Sequence, residues 1–343
     1  MATGTGLDAQ IGFAAETTYG TAATVTRFLE FNEESVREER NWIEPSSIAK
    51  GRKYKLATRS KVATKTVSGN ITLDFANKGM GLLIKHMLAS GVTAPTQIDE
   101  TAAYEQVHTP GDYRGKSVTI QVGRPEPSTG TVVPFTYAGC KFPSWELSLS
   151  DGETLQLQLS VVGREEVTTT ALATASLATG TSLFTFQDSE IKLGGTASTT
   201  SGLTTVSGGT KLSTIAREFS LSSEVPMAEE RFGIGNGGLR AEPLENDVPT
   251  ITGSLAAEFS KTELFDLYTS GEIFPLVFTA TGGEIEDNNN ELLEIILPAV
   301  KLKAAPPNVS GPDIVSMETE FEAFSDGTNP PIQVRLVSAD STL

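Results

Sequence analysis

Two stretches of this chain carry nearly the same pattern, and that repeat constrains the fold more than any other feature. Ser68-Gly69-Asn70-Ile71-Thr72-Leu73-Asp74-Phe75 leads into an amphipathic stretch, residues 77–90. Thr252-Gly253-Ser254-Leu255-Ala256-Ala257-Glu258-Phe259 leads into another, residues 260–270. Upstream of the first lies Glu38-Glu39-Arg40, and upstream of the second Glu229-Glu230-Arg231. A later pair matches Gly139-Cys140-Lys141-Phe142 through Leu159 with Ala299-Val300-Lys301-Leu302 through Thr319. Each identity is sparse, but the blocks keep one order. Tandem copies of one domain explain that order, and two similar units in one chain can occupy neighbouring places in a ring.

At 343 residues the chain has room for two domains of ordinary size. Period-2 alternation predicts strands at residues 27–34, 67–75, 117–122, 132–137, 140–149 and 154–162, with Asp151-Gly152 turning between the last two. Met80, Leu83, Ile84, Met87 and Leu88 share one face of a first helix over residues 77–89, with Asn77 as its N-cap and Gly91 as its stop. Ser260-Lys261-Thr262-Glu263 reads as a capping box opening a second helix that ends at Gly271. Strands are expected again at 183–193, 216–222, 250–259, 274–281, 292–300, 314–324 and 332–337. Residues 41–66 read as a long loop or extended hairpin, 92–114 as a loop insertion, and 196–210, rich in Ser, Thr and Gly, as a loop. The chain is therefore expected to be mainly β: two tandem β-sandwich or barrel domains, each with one short flanking helix and long loops. The boundaries are an N-terminal arm or edge strand (1–26), a first domain (27–164), a linker (165–182) and a second domain (183–343).

The chain carries a net charge of −17, with one basic segment from Lys50 to Lys65 that holds seven basic residues and no acid. Acidity disfavours general nucleic-acid binding. A basic segment on an acidic body suggests head-to-tail self-association between unlike patches, and a solvated hairpin flank is the other reading. Cys140 is the single cysteine, so no intrachain disulfide is possible. The N-terminus has no basic segment followed by an apolar core, so no signal peptide is expected, and no run of 18 apolar residues predicts a membrane helix.

Catalytic chemistry has little to work with. His86 and His108 are the two histidines, neither beside a nucleophile motif, and three Cys and His residues in total are too few for a zinc site. Phe232-Gly233-Ile234-Gly235-Asn236-Gly237-Gly238-Leu239 lacks the lysine and the preceding strand of a phosphate loop and is followed by Pro243. Glu284 to Glu291 is dense in oxygen donors but lacks the ligand alternation of an EF-hand, which leaves an exposed turn as the better reading and a calcium site as the other. No catalytic residue, metal site or cofactor is expected.

Gly12-Phe13-Ala14-Ala15-Glu16-Thr17-Thr18-Tyr19-Gly20-Thr21, then Phe28-Leu29-Glu30-Phe31, then Ser68-Gly69 with its strand and helix, resemble the major tail tube proteins of long, flexible-tailed (siphovirus-like) bacteriophages. The opening of the second half, residues 183–194, resembles the same family. The resemblance implies a structural virion protein, not an enzyme. Its sandwiches would form rings around a shared inner barrel, and the rings would stack into a hollow tail tube that passes DNA into the host. It also implies assembly in the host bacterial cytoplasm. The expected partners are further copies of the chain, the tape measure protein, the tail terminator and the tail-tip proteins, with no membrane. Two tube domains per chain would make a homotrimeric ring with pseudo-sixfold symmetry; a homohexamer is the alternative. Lys50, Arg52, Lys53, Lys55, Arg59 and Lys61 are expected at contacts between subunits, and Asp74 and Glu258 on the lumen. A β-sandwich adhesin or carbohydrate-binding module is the competing reading; such modules often present aromatic platforms, whereas Trp42 and Trp145 lie far apart in sequence, and a glycan-array signal would favour it.

Overall fold

A computed structural model describes residues 4–309 and 311–343. Met1 to Thr3, at the start of the expected arm, and Ser310 lie outside the described residues. The first half contains strands β1 (Gln10–Ala15), β2 (Arg27–Leu29), β3 (Glu33–Glu34), β4 (Arg37–Ile43) and β5 (Lys61–Asp74), then helix α1 (Gly81–Met87). After the helix come β6 (Thr96–Gln97), β7 (Tyr104–His108), β8 (Val118–Pro125), β9 (Val132–Cys140), β10 (Ser144–Ser150), β11 (Gln156–Gly163) and β12 (Glu165–Val167). The second half contains β13 (Ser189–Leu193), β14 (Thr196–Thr200), β15 (Leu203–Ser207), β16 (Thr210–Lys211), β17 (Ala216–Glu224), β18 (Met227–Ala228), β19 (Leu244–Glu245) and β20 (Thr250–Glu258). Helix α2 (Glu263–Ser270) follows, and then β21 (Phe274–Glu286), β22 (Asn289–Ala304), β23 (Pro307–Asn308), β24 (Ser316–Ala323) and β25 (Gln333–Ser338).

One five-stranded sheet runs β2-β1-β8-β9-β12. A larger sheet holds the remaining long strands. Along it, β4-β5-β11-β10 continues without a gap into β17-β20-β24-β22, because β10 pairs antiparallel with β17, Leu147 opposite Leu221. β22 belongs to two layers: Leu292 to Ile296 pair with β25, and Val300 to Ala304 pair with β24. The outer path β16-β13-β21-β22-β25 therefore repeats the neighbour order of β2-β1-β8-β9-β12.

Alternation decides which side of each strand is buried. In β11, Leu157, Leu159 and Val161 point inward while Gln158 is exposed. In β5, Ile71 and Leu73 are fully buried between Asn70, Thr72 and Asp74. These side chains share one continuous apolar core with Ile11 and Phe13 of β1, Ile120 and Val122 of β8, and the stacked rings of Phe219 and Phe278, whose centroids lie 4.6 Å apart. Two glycines stand where strands approach most closely. A Cβ on Gly69 would lie 2.6 Å from the Ser35 carbonyl oxygen, and one on Gly253 would lie 2.4 Å from the Ser220 carbonyl oxygen.

Several local expectations are corrected. The segment read as an arm or edge strand contains β1, which has β2 on one side and β8 on the other, because Ile11 and Phe13 supply core. The first helix is shorter than its apolar pattern. Asn77 does not cap it: its side chain donates to Glu291 and accepts from the Ser182 amide. Ala89, at φ 47°, takes the left-handed turn expected of Gly91. No capping box forms at α2, because the Glu263 carboxylate instead accepts from the Ser213 and Thr214 amides and hydroxyls; Gly271 does end the helix, at φ 65°. Residues 92–114 are not all loop, since β7 pairs with β25. Residues 196–210 form the hairpin β14–β15, where β-branched threonines favour the strand and Ser201 and Gly202 turn with positive φ. The two Glu-Glu-Arg blocks are not equivalent: the first lies in β4, the second in the loop after β18, and the strand that pairs with β20 as β4 pairs with β5 is β17.

Candidate assembly surface

Over β5, β11, β10, β17, β20 and β24 the face of the large sheet opposite the core is predominantly polar. The registers carry one row straight across six strands: Thr72, Gln158, Glu146, Ser222, Thr252 and Glu322. The next row is Asp74, Gln156, Ser148, Ser220, Ser254 and Glu320. Hydroxyls pair across strands, with Ser220 and Ser254 2.8 Å apart and Ser222 and Thr252 3.1 Å apart. A sheet with one apolar and one polar face turns the polar face to water or to a solvated channel.

Both acids singled out from sequence lie on this face. Asp74 accepts from Thr154 at 2.9 Å and Asn32 at 3.2 Å. Glu258 is ion-paired with Arg217, so its charge is largely matched. The same face carries Glu146, Glu218, Glu224, Glu318, Glu320 and Glu322, which the sequence reading did not name. Their signal was available: each alternates with a buried residue, as Glu146 with Leu147 and Glu320 with Phe321.

The basic segment splits in two. Residues 44–60 connect β4 and β5 and are nearly all exposed, including Ile48 and Tyr54. Lys55 pairs with Glu44 at 2.8 Å and holds that carboxyl below its usual range. Arg59 donates to Ser47 at 3.3 Å. Lys50, Arg52, Lys53 and, at the start of β5, Lys61 have no acidic partner among the described residues.

The counterpart of this loop in the second half, residues 225–249, is tied down. Its Glu242 accepts from the buried Lys141 ammonium at 2.7 Å and from the Gly115 amide at 2.6 Å. Lys141 also donates to the carbonyls of Tyr113 and Pro243. Burial pulls the Lys141 pKa down, and Glu242 opposes that shift. The glycine-rich stretch belongs to this loop, and its Gly238 carbonyl accepts from the Lys65 amide at 2.9 Å.

His86 and His108 are buried and held neutral, their pKa values depressed to about 3 and about 4, chiefly by burial and then by nearby lysines. Among the described residues no group of His, Cys, Asp and Glu could hold a metal ion. Residues 284–291 form a tight hairpin turned at Asp287 and Asn288. Trp145 is buried in β10 and Trp42 is exposed on β4.

The sequence profile of the phage tail tube protein family matches residues 6–323. The chain belongs to that family. The family is a structural one of the virion tail, and membership implies assembly with further copies and with other tail proteins. The mainly β architecture of this tail tube protein accords with the family. A search of curated proteins found no match to the chain. No helix among the described residues of this tail tube protein is long and apolar enough to cross a membrane.

Proposed function

We propose that three copies of this chain close into a ring of six similar sheets, and that rings stack into the hollow tube through which the genome leaves the virion. The observation that carries this reading is the strand order, met twice, with the two halves joined edge to edge at β10 and β17. On this reading the chain is two tandem tube domains, β1–β12 and β13–β25, already paired as neighbours in a ring are paired. A shared barrel also removes the open sheet edges of β4 and of the β22–β23 segment.

The polar face of the large sheet then lines the lumen. Its carboxylates repel phosphate and its hydroxyls offer no firm grip, so DNA passes without specific binding. Asp74 and Glu146 contribute to this lining more than the charge-matched Glu258. The tape measure, terminator and tail-tip proteins meet the tube along its lumen and at its ends, and assembly takes place in the host cytoplasm.

Negative-stain electron microscopy of the purified chain at high concentration tests the reading. Rings or tubes with threefold symmetry and six similar lobes are expected. Six chains per ring would keep the tube and remove the tandem arrangement; a chain that stays monomeric even with a tail-tip initiator would remove the tube.

A further inference from the structure

We propose that Asn236 is a site of self-modification: its side-chain amide is lost to attack by the Gly237 backbone nitrogen, and the change loosens the hold of the loop 225–249 on β5. The ring reading plays no part in this.

The glycine-rich stretch supplies the site. Asn236-Gly237 is the one Asn-Gly pair in the sequence. The reaction closes a five-membered ring. The Gly237 nitrogen bonds to the side-chain carbonyl carbon of Asn236, its proton passes to water, and the side-chain nitrogen leaves as ammonia. Water then opens the succinimide at either carbonyl. One opening gives aspartate on an unchanged backbone. The other gives isoaspartate, whose backbone runs through the former side chain and is one methylene longer. Water is the only co-reactant. A side chain on the following residue crowds the ring as it closes, and glycine has none.

The structure leaves this pair free to react. Asn236 and Gly237 are both exposed. The Gly237 amide, the nucleophile, donates no hydrogen bond among the described residues. A Cβ on Gly235 or Gly237 would meet nothing within 4 Å, so the backbone has room to bring nitrogen and carbonyl carbon together. Every other asparagine is followed by a residue with a side chain. Asn41, Asn70 and Asn289 are also held in strands, Asn77 is buried, and Asn329 precedes a proline, which has no N–H to attack with.

The consequence follows from what lies next in the chain. The Leu239 amide donates to the Asn236 carbonyl at 3.0 Å, and the turn so formed presents the Gly238 carbonyl to the Lys65 amide at 2.9 Å. Gly238 is pressed onto β5, where a Cβ would lie 2.6 Å from the Ala63 carbonyl oxygen. Isoaspartate takes the Asn236 carbonyl out of the backbone and lengthens the path into Gly238. The turn then no longer sets that carbonyl against Lys65. Aspartate adds the same charge and leaves the path as it was.

Peptide mapping of the full chain tests the site. Trypsin cuts after Arg231 and Arg240 and releases Phe232 to Arg240 as one peptide. After incubation at mildly alkaline pH, fragmentation that distinguishes isoaspartate from aspartate should find both at residue 236, before any other asparagine has changed. The conversion should quicken as pH rises, because the attacking nitrogen must give up its proton, and Asn236→Ser should abolish it. Hydrogen exchange at the Lys65 amide should rise by up to about tenfold in the aged chain, the worth of one hydrogen bond. Asn236→Asp, with the charge on an unchanged backbone, should keep the parent's protection. An Asn236 that stays an amide while another asparagine converts, or that yields aspartate alone, overturns the site. Isoaspartate at 236 with Lys65 exchange unchanged overturns the loosening.

Discussion

His86 and His108, buried and neutral, weaken this fold towards acid. His86 packs on α1 with its Nε2 unpartnered, facing positive charge from Lys85, Lys116 and Lys141. His108 shares one hydrogen bond with Gln106, at 3.1 Å, and faces Lys85. In the unfolded chain both protonate near their ordinary value of 6.5, whereas in the folded chain they resist until about 3 and about 4. Above about 6.5 both states are neutral and nothing is lost. Below it the unfolded state binds more protons, so stability falls by up to about 1.4 kcal/mol per pH unit for each imidazole as pH drops towards 4. Urea midpoints between pH 7 and 4 check this. His86→Gln/His108→Gln should flatten the profile relative to the parent, and an unchanged profile would remove the histidines as its cause. A structural role for these residues was legible in sequence, since neither has a nucleophile or metal partner nearby. The lysines around them were not, because Lys116 and Lys141 arrive from separate elements.

Beside the β10–β17 strand pair, the loop 225–249 also joins the halves, and Lys141 is its anchor. The ammonium is fully buried and bonds Glu242 and two carbonyls, so removing it leaves an acid and two acceptors without their donor. Lys141→Met should cost about 2–4 kcal/mol. Amide hydrogens of Glu242, Leu244 and Glu245 should then exchange faster than those of β5 or β11; equal protection would mean that the strand pair alone holds the loop. Elements with strict alternation, β5, β11 and β20, were readable from their own residues. β7 was not: it exists because β25, from the far end of the chain, offers it a partner, and nothing local announces that. The hairpin β14–β15 was hidden by composition, since a Ser, Thr and Gly run suits a loop as well as a short strand pair.

At the scale of the whole molecule, one exposed basic segment sits on an acidic body. The acidic balance and the single basic segment were plain in the sequence; which acids share a face required the registers, because Glu146, Glu224 and Glu322 come from three strands that are distant along the chain. The exposed loop 44–60 contributes little to the fold of its own chain, and its one ion pair, Lys55 with Glu44, is open to solvent and worth little. Lys53→Glu/Lys55→Glu/Arg59→Glu should therefore leave the stability of the isolated chain within about 0.5 kcal/mol of the parent. On the ring reading, the same reversal takes from the loop the positive charge it would offer the next copy, so tube formation should be lost. Parent assembly should weaken as salt rises, since screening shortens the reach of such pairs to about 8 Å at physiological ionic strength. Electron microscopy reads both: normal tubes from the triple reversal would remove the loop from the interface.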